Sequence, residues 1–230
     1  MKKLLFCAAL SASVLSSNAA PPPYYIAGDF NGWNAAGDLM AETGLGSGIW
    51  RVDLTGVSAG RHEFKLTGGD WSWNYPGPNS WFYAPASGDI SITFDLNTYA
   101  DGWLSASERI GLSIDPGSWT ATGDFQGWNN AAGNMVPLGG GIHMYQTVLT
   151  PGEHKWKAVV TGTWDSISLD NRSVGTADYV FTVVPGAELT TFWVDALGGT
   201  VKLEMQPIPE PSILGLLACG LAALVWRRFH

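Results

Sequence analysis

Along most of the chain, apolar and polar residues alternate in short runs. This is the period of a strand with one face on a core and the other in solvent. Within 49–54, Trp50, Val52 and Leu54 fall on one face and Arg51 and Asp53 on the other. Within 62–67, Phe64 and Leu66 oppose Glu63 and Lys65. Ile90, Ile92, Phe94 and Leu96, with Ser91, Thr93 and Asp95 between them, make the clearest strand. Residues 24–27 enter as an extended segment behind Pro21-Pro22-Pro23, whose fixed φ favours an extended lead-in. The theme returns at 144–149, 154–160, 179–184, 189–194 and 201–205, and no amphipathic helix interrupts it. Short alternating strands with frequent turns predict an all-β protein of antiparallel sandwiches.

The number of sandwiches follows from a repeat. Gly28-Asp29-Phe30-Asn31-Gly32-Trp33-Asn34 returns as Gly123-Asp124-Phe125-Gln126-Gly127-Trp128-Asn129, 95 positions later. Met40 answers Met135 at the same offset, and Ala59-Gly60-Arg61-His62-Glu63-Phe64-Lys65 answers Pro151-Gly152-Glu153-His154-Lys155-Trp156-Lys157. After each of these lysines comes a tryptophan, Trp71 and Trp164. Self-similarity at a long period fixes architecture before local propensity does. Two modules of about 90 residues are expected, a normal domain size. Their spans are 20–106 and 107–206, with 105–118 as the connection and Ile110 and Leu112 open to assignment to the second module.

The two ends read differently. Met1-Lys2-Lys3, a mostly apolar run over 4–15, and Ser17-Asn18-Ala19 form a secretory signal peptide over 1–19, too short to span a bilayer. At the other end Pro209-Glu210-Pro211 precedes an apolar run to Trp226 and then Arg227-Arg228. That order over 207–230 resembles the PEP-CTERM sorting signal recognised by exosortase systems of Gram-negative bacteria. The resemblance implies export, transient inner-membrane association through a hydrophobic transmembrane tail, processing near Pro-Glu-Pro, and delivery to the cell surface or exopolysaccharide. Arg227 and Arg228 would hold the tail on the cytoplasmic side until then. A permanent single-span anchor would give nearly the same address.

Composition changes the picture in three places. Between 20 and 206 there are 8 Lys and Arg against 19 Asp and Glu, a net charge of −11, which leaves no electrostatic footprint for nucleic acid. Both cysteines, Cys7 and Cys219, lie in the terminal signals, so the body forms no disulfide and rests on its hydrophobic cores. Eleven of the 12 tryptophans lie in the body, an excess that needs a reason.

Alternation separates them. With Phe64 and Trp156 pointing into the cores, Lys65 and Lys157 point out. Trp50, Trp81, Trp103, Trp119, Trp156 and Trp193 read as core or edge packing. Trp33 and Trp128 follow glycines in turns, as plugs over a sandwich end or as platforms for a ligand. Trp71, Trp73 and Trp164 sit in polar turns where burial is harder to arrange. Sugars bind by laying a C–H face on an aromatic ring while polar groups meet the hydroxyls. A lysine between two loop tryptophans is the minimum kit for that. Asp29, Asp70, Asp124 and Asp165 are the carboxylates a glycosidase pair would draw on. They lie in turns of separate modules, where aspartate is ordinary, and no nucleophile and base are brought together. His62 and His154 share the faces of Phe64 and Trp156 and read as structural rather than metal ligands. No catalytic residue, metal or cofactor is expected.

The run Gly-Asp-Phe-Asn-Gly-Trp, then Gly-x-His-x-Phe-Lys, then Gly-Asp-Trp resembles carbohydrate-binding module family 48 and the glycogen-binding domain of the AMP-activated protein kinase β subunit. Trp71-Ser72-Trp73-Asn74-Tyr75 is similar to the Trp-x-x-Asn-Tyr turn of related starch-binding modules in pullulanases and amylases. The resemblance implies two tandem immunoglobulin-like (early set) antiparallel β-sandwiches binding α-1,4-glucan. By position it puts stacking rings at Trp33, Trp71, Trp128 and Trp164, with Trp73 and Asn74 in the first turn, and hydroxyl-binding lysines at Lys65 and Lys157. Asn74 has no clear counterpart in the second copy, where the turn reads Trp164-Asp165-Ser166-Ile167. The expectation is an exported, non-catalytic α-glucan-binding protein. The alternative is a structural matrix or partner-binding protein on the same sandwiches.

Overall fold

The computed structural model describes residues 22–104, 106–169, 171–174 and 177–208. The signal peptide and Pro209, Glu210, Pro211, Arg227 and Arg228 lie outside the described residues. In the first half the strands are β1 (Tyr25–Gly28), β2 (Asp38–Leu39), β3 (Ala41–Glu42), β4 (Ile49–Val57), β5 (Gly60–Thr67), β6 (Asn74–Ala84), β7 (Gly88–Asp95) and β8 (Arg109–Leu112). In the second they are β9 (Trp119–Gly123), β10 (Val136–Gly139), β11 (Ile142–Val148), β12 (Gly152–Val160), β13 (Asp165–Ser168), β14 (Asn171–Val174), β15 (Tyr179–Val183), β16 (Leu189–Asp195) and β17 (Thr200–Gln206). Two three-residue 3-10 turns, Asp29–Asn31 and Asp124–Gln126, carry the repeated motif. Among the described residues no helix is long and apolar enough to cross a membrane.

The strands pair antiparallel in four sheets: β2-β1-β5-β6, β3-β4-β7-β8, β14-β13-β12-β15 with β9 on the other edge of β12, and β10-β11-β16-β17. The first two sheets enclose one core, with Ile26, Phe64, Leu66 and Phe82 meeting Leu54, Ile90, Ile92, Phe94 and Ile110. The last two enclose the other, with Trp119, Trp156, Ala158 and Ile167 meeting Phe192, Val194 and Val201. Alternation decides which side chains do this: Ile90, Ile92 and Phe94 are buried while Ser91 and Thr93 between them are not. Each such large side chain contributes about 1.5–3 kcal/mol.

The repeat is preserved in register. Gly28 pairs with Phe64 across β1 and β5, and Gly123 with Trp156 across β9 and β12. Two details lie outside the sequence reading. Ile110 and Leu112 belong to the first core, because β8 pairs with β7. Trp81 faces away from the first core, opposite Glu63 on β5, and lies in the second core with its ring centroid 6.0 Å from that of Trp119.

Candidate functional site

The repeated heptapeptide is a device for holding a tryptophan at the end of a strand. A Cβ on Gly28 would strike the Phe30 ring and the Glu63 carbonyl, and one on Gly123 would strike Phe125 and the Lys155 carbonyl. Asp29 ties the turn to the lysine strand, accepting from the Glu63 amide at 3.1 Å and lying 2.8 Å from His62 Nδ1. Asp124 does the same with the Lys155 amide at 3.1 Å. Asn31 Nδ2 donates back to the Ile26 carbonyl at 2.8 Å, and Gln126 Nε2 to that of Ala121 at 3.0 Å. Trp33 and Trp128 then leave the turn at φ +59° and +58°, with their amides bonded to the Gly28 and Gly123 carbonyls at 2.8 Å. A bulky residue at positive φ is strained by about 1–3 kcal/mol, and such strain concentrates at functional sites.

In the first half the Trp33 and Trp71 ring centroids lie 6.5 Å apart at 40°, and Trp71 is 47% exposed. Asp70 shapes this loop by accepting from the Ser72 amide at 2.9 Å, and the Ser72 bonds lower its pKa. Lys65 Nζ donates to Asn74 Oδ1 at 2.9 Å, to the Pro76 carbonyl at 3.0 Å and to the Gly77 carbonyl. Burial lowers the pKa of this lysine. Trp73 is half-buried against the first core, 5.7 Å from the Tyr24 ring. The structure thus joins Trp33 to Trp71 and Lys65 to Asn74, and turns Trp73 inward.

In the second half Lys157 Nζ stands 5.6 Å from the Trp128 ring and 5.9 Å from the Trp164 ring, and Trp164 is 50% exposed. Its ion-pair partner is Asp178, at 2.9 Å. Both lysines point away from their cores, as alternation requires, but neither stands clear in solvent; the Lys157 side chain is only 12% exposed. Asn74 lies opposite Thr67, and the position in the same register of the second half, opposite Val159, is Ser166, which is buried.

Two residues escape sequence reasoning. Asp178 has no counterpart in the first half, so no comparison of the repeats exposes it. Asp165 is not a turn residue: it opens β13, is buried, and pairs with Arg61 at 2.6 Å across 104 positions. Both ring nitrogens of His62 are engaged, by Asp29 and by the Ser58 carbonyl at 2.9 Å. Among the described residues no three His, Cys, Asp or Glu side chains converge as metal ligands would.

Residues 207–228 match the PEP-CTERM protein-sorting motif. The 1,4-alpha-glucan branching enzyme GlgB of Corynebacterium jeikeium (strain K411) is 36% identical over 92 residues, 38% of this chain and 13% of that enzyme. Among solved structures, SusF from Bacteroides thetaiotaomicron shares 18% identity over 81% of this chain and 49% of its own, with a TM-score of 0.34. Pullulanase from Bacillus acidopullulyticus shares 13% over 80% of this chain and 28% of its own, with a TM-score of 0.30. The chain thus carries a PEP-CTERM sorting motif behind an all-β body that spans only a minor part of the glucan enzyme it resembles in sequence.

Proposed function

We propose that this is an exported, non-catalytic protein that binds α-glucan through two tandem immunoglobulin-like modules and is delivered to the cell surface or exopolysaccharide by exosortase processing of its tail. One observation carries the reading. In each half a half-exposed loop tryptophan stands beside the strained tryptophan of the 3-10 turn or beside a lysine flanked by both rings. Two rings offer a pyranose its apolar face contacts, and the lysine and Asn74 offer hydroxyl partners. The sequence identity with a glucan branching enzyme over about one module's length points to the same class of sugar.

Such sites are shallow, so a single one should bind weakly, roughly micromolar to millimolar. Two on one chain favour a long polymer over a short oligosaccharide. The test is retention on insoluble starch against cellulose and chitin, with the Trp71→Ala, Trp164→Ala double variant as control. Selective retention on starch, nearly abolished in the double variant at unchanged melting temperature, is expected. No retention of the parent would overturn the reading in favour of a matrix or partner-binding protein.

A further inference from the structure

The second site leans on the first half of the molecule. The half-exposed Trp164 is followed directly by Asp165, whose side chain is only 7% exposed. Arg61 grips that carboxylate with both arms of its guanidinium, Nε to Oδ2 at 2.6 Å and Nη2 to Oδ1 at 2.7 Å. The Tyr83 hydroxyl donates to the same group. Arg61 and Tyr83 face each other across β5 and β6, on the side of their sheet turned away from the first core. Charge-assisted, two-pronged bonds of this kind fix geometry as well as add energy. Asp165 holds the Arg61 guanidinium above its ordinary pKa, and burial, with Asp165 second, raises the Tyr83 hydroxyl. Tyr83 also bonds the Thr163 side chain, and within the second half Asn130 Nδ2 donates to the Thr163 carbonyl at 3.0 Å and the Asp165 amide to Thr163 Oγ1 at 3.2 Å.

We propose that Arg61 and Tyr83 are positioning residues for the stacking ring of the other module, so that the Trp164 site is complete only when the two halves are docked. This rests on the α-glucan reading of that ring. The dependence runs one way. The Trp71 loop is shaped from within by Asp70 and Ser72, and among the described residues neither makes a contact of this kind with the second half. A loosened Trp164 loop must be re-ordered on each binding event, which lowers affinity.

The experiment uses the full chain in two backgrounds: Trp71→Ala, which leaves the second site, and Trp164→Ala, which leaves the first. Into each go Arg61→Met and Tyr83→Phe. Affinity for soluble starch is read by affinity electrophoresis, and amide hydrogen exchange is followed across 161–165. In the Trp71→Ala background, Arg61→Met should weaken binding about five- to tenfold, the cost of ordering a freed loop side chain. Tyr83→Phe, which keeps the ring and loses one hydrogen bond, should weaken it about twofold. Both should speed exchange across 161–165, and neither should alter affinity in the Trp164→Ala background. Unchanged affinity and exchange in the Trp71→Ala background overturn the proposal. So does an equal loss in both backgrounds, which would mark general destabilisation. If no protein binds starch, the glucan reading falls, and exchange alone decides the positioning role: faster at 161–165 upholds it and unchanged exchange overturns it.

Discussion

In the first half the strand opposite β5 runs from Asn74 to Ala84. In the second, the same partner of β12 is divided between β13 and β15. The registers superpose at both ends: Phe64 with Ser80 and Leu66 with Tyr75, against Trp156 with Tyr179 and Ala158 with Ile167. Between those anchors the first half spends four residues, 76–79, and the second eleven, 168–178. Among the extra residues is β14, an arm that docks on β6. The Ser80 hydroxyl donates to the Arg172 carbonyl at 2.6 Å, and the fully buried Arg172 guanidinium lies 5.0 Å from the Trp81 ring. The same segment supplies Asp178 to Lys157. The longer connection of the second half therefore adds contacts to the first half and gives Lys157 a partner of its own.

The largest effect should come where the copies meet. Trp81 has its register counterpart in Val180, since Trp81 faces Glu63 and Val180 faces Lys155. Among the described residues nothing docks over Val180, which is 46% exposed, while Trp81 is fully buried. Trp81→Ala should cost about 3–5 kcal/mol, as for other buried large rings. Val180→Ala should stay within about 0.5 kcal/mol, as surface changes do. Denaturant midpoints check both; similar costs at the two positions would break the asymmetry. Next in size is a transplant. With 168–178 replaced by Pro-Gly-Pro-Asn, the sequence of 76–79, the halves should unfold in two transitions, where the parent, whose second core contains Trp81, should unfold in one. A single transition in the transplant would mean that the arm does not couple them.

These asymmetries explain what was legible beforehand. Strands such as Ile90–Ile92–Phe94 and the repeated turns were readable, because local alternation and steric need for glycine leave a mark on the sequence. The docking face was not. Ser80-Trp81-Phe82-Tyr83 carries three aromatic residues in a row, so no period says which of them faces the first core. The burial of Arg172 contradicts the ordinary preference of arginine for the surface and lowers its pKa to about 9; its Nη2 donates to the Ala196 carbonyl and the Trp81 ring lies beside it, neighbours that leave no local pattern. The Arg61–Asp165 pair joins residues 104 apart. Of the candidate site, the rings and lysines were visible as residue types in a repeated order; the partners that distinguish Lys65 from Lys157 were not.

The smallest predicted effect sharpens the comparison at those lysines. Lys65 gives its ammonium to Asn74 and two backbone carbonyls, whereas Lys157 stands between two rings beside Asp178. Lys65→Met should therefore act mainly on stability, costing about 1 kcal/mol for acceptors left without their donor. Lys157→Met should act mainly on starch retention. The pH dependence separates the two further. Burial lowers the pKa of Lys65 in the folded protein below its ordinary 10.5. Across the window between the lowered value and 10.5 the unfolded chain holds the proton more firmly than the folded one, so stability attributable to this residue rises with pH there. Below the window both states are protonated and the penalty of burying the charge is complete. Lys65→Met should abolish that rise, read as the difference in unfolding free energy between parent and variant measured from pH 8 to about 10.5. A difference that stays flat across the window would show that Lys65 is as well solvated in the fold as in the unfolded chain, and the contrast between the two lysines would then rest on their partners alone.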